Sequence, residues 1–77
     1  MKWEKELKYI EAALADNKEV EIKYHRKWAR NIHEYRSGVV ESVVEYNWHG
    51  DTCKAINIYN DQIDEGTHII DEVNIYE

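Results

Sequence analysis

Apolar side chains in residues 2–16 (KWEKELKYIEAALAD) stand at Trp3, Leu7, Ile10 and Leu14, with spacings of 4, 3 and 4. That period lines them along one stripe of an α-helix and leaves Lys, Glu and Ala for the other positions. Glu4 and Lys8 are placed i, i+4 in the favourable order. The DNK that follows offers an Asn for a left-handed helix stop. The pattern predicts one amphipathic helix within residues 1–17.

From Glu19 the period changes to two. In EVEIKYH, Val20, Ile22 and Tyr24 alternate with Glu21, Lys23 and His25, as a half-buried strand requires. RKWARNI has no clean period and is expected to be a loop. After Gly38, which permits a bend, VVESVVEY places four valines in six residues. β-branched side chains favour a pleat, so a strand apolar on both faces is expected, one face turned into a barrel and the other covered by the helix. NWHGD reads as a turn with Gly50 at its tip, CKAINIY as a third strand and NDQIDEG as a polar connection. THII forms a short strand, DEV a single 3₁₀ turn and NIY a last strand. One helix and five short strands in about 60 residues suit a small barrel or sandwich. The expected class is α+β, mainly β, in a single domain, 1–77.

Size and composition narrow the class. Seventy-seven residues bury only roughly 60% of their extended surface, so stability is modest. Cys53 is the only cysteine, which excludes a disulfide framework and favours a reducing, cytoplasmic compartment. No apolar run approaches the roughly 20 residues that cross a bilayer, and MKWEKELKYI carries Glu where a signal peptide would be apolar. The net charge of −6 is unevenly spread: −2 over residues 1–22, +4 over 23–38 and −8 over 39–77. All nine aromatic rings, three Trp and six Tyr, carry a polar tip and can sit with body buried and tip wet.

A helix followed by a bent, Gly-led second strand and a 3₁₀ turn before the last strand resembles the SH3-like and Sm-like small barrels. Within that class EVEIKYH, SGVVESVVEY and THIIDEVNIYE are similar in order and spacing to the YolD-like family of Gram-positive bacteria and their phages. The resemblance implies a five-stranded antiparallel barrel (19–77), and the helix (1–17) is expected to pack on it. It also implies a phage or mobile-element accessory or inhibitory protein that docks on a larger host protein. The chain departs from that family in its own leading helix and in the inserted RKWARNI.

The basic segment KYHRKWARNIHEYRSG (23–38) holds half of the Lys and Arg. Interleaved with Trp28 and Tyr35, these cations suit single-stranded nucleic acid, where charges meet phosphates and rings stack on bases. The overall negative charge opposes a polyanion. Alternatively the cations lie over the molecule's own acids, with Trp28 closing the barrel mouth. A third reading, preferred here, is a protein partner, because Trp, Tyr and Arg are enriched at interface hot spots. The expected contact residues are Arg26, Lys27, Trp28, Arg30, Tyr35 and Arg36. An acidic face of Asp61, Asp64, Glu65, Asp71 and Glu72 would imitate nucleic acid or discourage wrong partners.

Other constellations read blandly. His25, His33, His49 and His68 with Cys53 lack a C-x-x-C half-site, and His49 and Cys53 flank a turn, so no metal is expected. Cys53 reads as a small core residue. NDQIDEG lacks the ligand spacing of a calcium loop. Without a Gly-rich phosphate loop, a Ser nucleophile motif or acids converging in a cleft, neither enzyme activity nor a cofactor is expected. The apolar stripe of the helix serves as the domain's own lid rather than as an offered ligand. The unpaired edge of NIYE provides a route to homo-oligomers.

Overall fold

The predicted stripe is the buried side of α1 (Glu4–Ala15) in the computed structural model, which describes residues 3–76. Trp3, Leu7, Ile10 and Ala13 are buried and Leu14 packs beside them. Asn17 takes φ 56°, and the Lys18 and Asn17 amides donate to the Ala13 and Leu14 carbonyls at 2.9 and 3.2 Å. This is a Schellman stop, in which the left-handed residue satisfies the last free carbonyls. The expected helix start at Lys2 and the terminal Glu77 lie outside the described residues.

Five strands follow: β1 (Glu19–Arg26), β2 (His33–Trp48), β3 (Asp51–Ile58), β4 (Asp61–Asp64) and β5 (His68–Ile75). They form one antiparallel sheet in the order β4-β3-β2-β1-β5. His49 and Gly50 link β2 to β3 with φ 49° and 85°, and Tyr59 and Asn60 link β3 to β4 with φ 50° and 60°. Two central residues at positive φ make type I′ turns, whose twist matches that of paired strands.

The sheet is strongly curled. β4 and β5 are its two edges, and a flat sheet of five strands would hold them about 19 Å apart. Only residues 65–67 connect them, a span of about 14 Å at most. No ladder joins β4 to β5, so the sheet is open. Val20, Ile22, Tyr24, Val40, Ile56, Ile58, Ile63 and Ile70 form one buried cluster with the apolar face of α1. Among the described residues no helix is long and apolar enough to cross a membrane.

Several expectations need correction. β2 begins at His33, well before Gly38, because HEYRSG pairs with β1 residue for residue. β4 occupies part of the stretch read as a polar connection; Asp61 and Gln62 are exposed while Ile63 is fully buried. DEV is not a 3₁₀ turn. β5 runs through it, and a bulge absorbs the extra residue: Tyr24 pairs with Ile70 and Lys23 with Glu72, which leaves Asp71 unmatched. β2 is not covered on both faces either. Val40 is buried and Val43 packs on the core, whereas Val39 and Val44 are exposed, since α1 packs on the same side as the core.

Gly38 sits within β2 at φ +140°. A Cβ there would meet only ordinary contacts at 3.9 Å, from Ile58 and Tyr59, so the backbone conformation and not space requires glycine. Gly38→Ala is therefore expected to destabilise the domain by about 1–3 kcal/mol, read as a lower midpoint in thermal denaturation with an unchanged far-UV spectrum.

Candidate functional site

Residues 27–32 project between β1 and β2. Two successive turns shape them, with the Ala29 amide donating to the Arg26 carbonyl at 2.9 Å and the Ile32 amide to the Ala29 carbonyl at 3.1 Å. The Lys27 amide donates to the Thr67 carbonyl at 3.0 Å, which ties the loop to the β4–β5 connection. Trp28 is 71% exposed and Ile32 65%. Arg30 is also exposed. Among the described residues Lys27 and Arg30 form no ion pair.

The basic residues expected to act together divide into two groups. Arg36 is folded back: its Nη2 donates to Asp61 Oδ2 and, at 3.4 Å, to the Tyr24 hydroxyl. The Tyr24 hydrogen bond, followed by attraction to Asp61 and Glu34 against the cost of burial, raises its pKa. Arg36 is thus a half-exposed strut between β2 and β4, its charge already met by Asp61. Arg26 approaches Glu34 at 3.7 Å from an exposed position. Tyr35 is exposed on β2, with Lys23 Nζ 5.9 Å from its ring centroid. Trp28 and Arg30 remain as the outward-facing tip, with Lys27 half-buried beside them.

The five expected acids are split between the two edge strands and their connection. Asp61 and Asp64 belong to one edge strand and Asp71 and Glu72 to the other, and four of the five have internal partners. Asp61 holds Arg36. Asp64 Oδ2 accepts from the Thr67 hydroxyl at 2.6 Å, the Thr67 amide at 3.1 Å and the Tyr46 hydroxyl at 3.2 Å. Burial pushes the Asp64 pKa up, but these bonds and nearby His68 outweigh it and hold the carboxyl below its ordinary value. Burial lifts Tyr46 to about 12, although its oxygen also accepts from the Gly66 amide at 2.8 Å. Glu65, 4% exposed, belongs to no surface: its Oε1 accepts from the Lys54 amide at 3.0 Å and its Oε2 from the Trp3 amide at 3.3 Å. Glu72 is exposed.

At the root of the loop lies a cluster that the linear spacing of histidines did not reveal. His25 and His33 are a cross-strand pair, the last of the β1–β2 ladder, with ring centroids 5.4 Å apart. Both Nδ1 atoms lie 2.9 Å from Asp71 Oδ2. A carboxylate oxygen only accepts, so each imidazole carries its proton on Nδ1 in this arrangement. Desolvation raises the Asp71 pKa, and the hydrogen bonds and charges of the two histidines lower it by more, so it lies below the ordinary value. The bulge at Asp71 is what aims its carboxylate here. A hairpin closing around residues 26–32 would have suggested the histidine pair; nothing local points to Asp71.

Cys53 is half-buried, not a core residue. It lines an open groove of about 440 Å³ with Lys27, Trp48, Asp51, Thr52, Glu65 and Gly66.

The fold is a small α+β domain: a helix on a curled, open five-stranded antiparallel sheet with one projecting loop that carries Lys27, Trp28 and Arg30. Compared with known proteins, the chain matches no protein-family model, no curated protein and no solved structure.

Proposed function

We propose that this chain is a non-enzymatic binding module, built as an open small barrel of the SH3-like or Sm-like kind, that docks on a protein partner through loop 27–32. The observation that carries this reading is Trp28, 71% exposed on a hydrogen-bonded double turn, beside Lys27 and Arg30, whose charges have no ion-pair partner among the described residues. A large ring held outward on a fixed backbone loses little freedom on binding, and flanking cations add orientation. Arg26 and Tyr35 extend the surface. The resemblance to YolD-like barrels, and with it an accessory or inhibitory role for a phage or mobile element, belongs to the same proposal and draws on the curl that brings β4 and β5 within three residues.

The test compares wild type with Trp28→Ala combined with Arg30→Glu in affinity capture from host lysate. Both residues are exposed, so the double variant is expected to melt within about 0.5 kcal/mol of wild type and to lose at least tenfold of a specifically captured protein. Equal recovery by the two proteins overturns the proposal.

A single-stranded nucleic-acid reading is favoured by the same observation, Lys27 and Arg30 unpaired beside an exposed indole. It predicts micromolar oligonucleotide binding that weakens with salt by roughly 0.7 in log K per log salt for each phosphate neutralised. Absence of such binding at low salt leaves protein docking as the role of the loop. Self-association through β5, an edge strand that pairs on one side only, would appear as a dimer or larger species in light scattering.

A further inference from the structure

We propose that His25, His33 and Asp71 form a binding site for a divalent transition-metal ion of the zinc class, clipping β1, β2 and β5 together at the root of loop 27–32.

Three observations converge. The donor atoms come from three strands and lie within 4.8 Å of one another, with each imidazole Nδ1 2.9 Å from the same carboxylate oxygen. Zinc–nitrogen and zinc–oxygen bonds of about 2.0–2.2 Å, at angles between octahedral and tetrahedral, separate neighbouring ligand atoms by roughly 2.9–3.5 Å. The two Nδ1–Oδ2 distances of 2.9 Å fall in that range, and a cation taking the place of the two Nδ1 protons would draw the remaining donor separation, at most 4.8 Å, in toward it. Two imidazoles and one carboxylate are also a donor set suited to zinc and its neighbours in the first transition row, not to calcium or magnesium, which prefer oxygen alone.

The placement of the ligands adds to this. Asp71 reaches the histidines through a bulge, an extra residue inserted into an otherwise regular ladder, a device that re-aims a side chain. His25 is buried and fixed by its neighbours, whereas the His33 and Asp71 side chains are 39% and 23% exposed. One side of the site is thus held by the fold and the other is open, leaving room for water or an outside ligand to complete the coordination. Bound metal would close the seven residues 26–32 between two of its ligands and hold the loop.

Titration of zinc or cobalt(II) into the chelator-treated full chain tests the proposal. Wild type is expected to bind one equivalent with a micromolar or lower Kd and, at a hundredfold excess over Kd, to rise in melting temperature by roughly 10 °C or more. Cobalt(II) is expected to produce visible d–d bands and to broaden the His25 and His33 imidazole NMR signals. His33→Gln and Asp71→Asn should each weaken binding at least tenfold and abolish the visible bands. His33 is exposed, and its glutamine variant should keep the far-UV spectrum of wild type. His49→Gln, at the β2–β3 turn, should leave binding unchanged. Wild-type binding no tighter than millimolar overturns the proposal. So does binding that survives both His33→Gln and Asp71→Asn, or that is lost in His49→Gln.

Discussion

Trp3→Ala is expected to remove about 3–5 kcal/mol of stability, the usual cost of emptying a site filled by a large aromatic ring. Trp3 is 1% exposed and is among the largest fully buried side chains. It precedes the first turn of α1, where its carbonyl accepts from the Leu7 amide at 2.7 Å, so the ring locks the start of the helix onto the sheet. A chain of 77 residues has roughly 4–12 kcal/mol in total. The variant is therefore expected to be largely unfolded at the weak end of that range and strongly destabilised at the other. Urea denaturation followed by far-UV circular dichroism measures it. Trp3→Phe keeps most of the apolar body and removes an indole N–H that finds no acceptor among the described residues, so it is expected to cost less than half as much. If Trp3→Ala cost under about 1 kcal/mol, α1 would be a detachable element and not the lid of the core.

The second large effect is expected at Glu65. Its carboxylate accepts the Lys54 and Trp3 amides, and its own amide donates to the Lys54 carbonyl at 2.9 Å, extending the β3–β4 ladder by one residue. Glu65→Ala leaves two amide donors without an acceptor in a place water reaches poorly, at about 1–3 kcal/mol each. A loss of about 2–4 kcal/mol is expected, the Trp3 bond being the longer and weaker. Glu65→Gln keeps one carbonyl oxygen and is expected to lose about half of that. Amide hydrogen exchange at Lys54 should accelerate in both variants. Because Glu65 and Trp3 share a hydrogen bond, their alanine substitutions are expected to be non-additive by at least 0.5 kcal/mol. Strict additivity would show that the carboxylate does not hold the helix start.

Both effects depend on a residue whose importance the chain discloses unequally. Trp3 belongs to a 4-3-4 apolar stripe, and its burial follows from the period. Glu65 sits in an acidic run beside Asp64 and before Gly66, the composition of a solvated turn, and was expected on the surface. Its burial comes from the close return of residues 65–67 beside Trp3 and Trp48. Gly66 lies there so tightly that a Cβ would stand 2.8 Å from both the Trp48 ring and the Tyr46 hydroxyl.

The charge pattern was similarly informative in bulk and silent in detail. Signs are segregated along the chain, but segregation does not say which guanidinium meets which carboxylate. Arg36 on β2 meets Asp61 on β4, while Arg30 projects outward and Lys27 is half-buried without an ion-pair partner among the described residues. That difference arises because Arg36 lies on the paired part of β2 and the other two on the turns beyond it.

Order within a few residues was written in the chain itself: the helix from its 3.6 period, its stop from Asn17, β1 from alternation and the β2–β3 hairpin from Gly50 in NWHGD. Each follows from interactions between near neighbours, for which composition and spacing are sufficient. The β3–β4 hairpin was hidden because Tyr59 is an unusual residue at positive φ and because β4 shows one apolar side chain, Ile63, among polar ones. The unbroken course of β5 was hidden because an Asp-Glu pair reads as an interruption until its partner strand is known to accommodate a bulge. The meeting of Asp71 with histidines 46 and 38 positions away came from folding alone: strand order and curl place β5 against β1, and no local preference carries information over that distance.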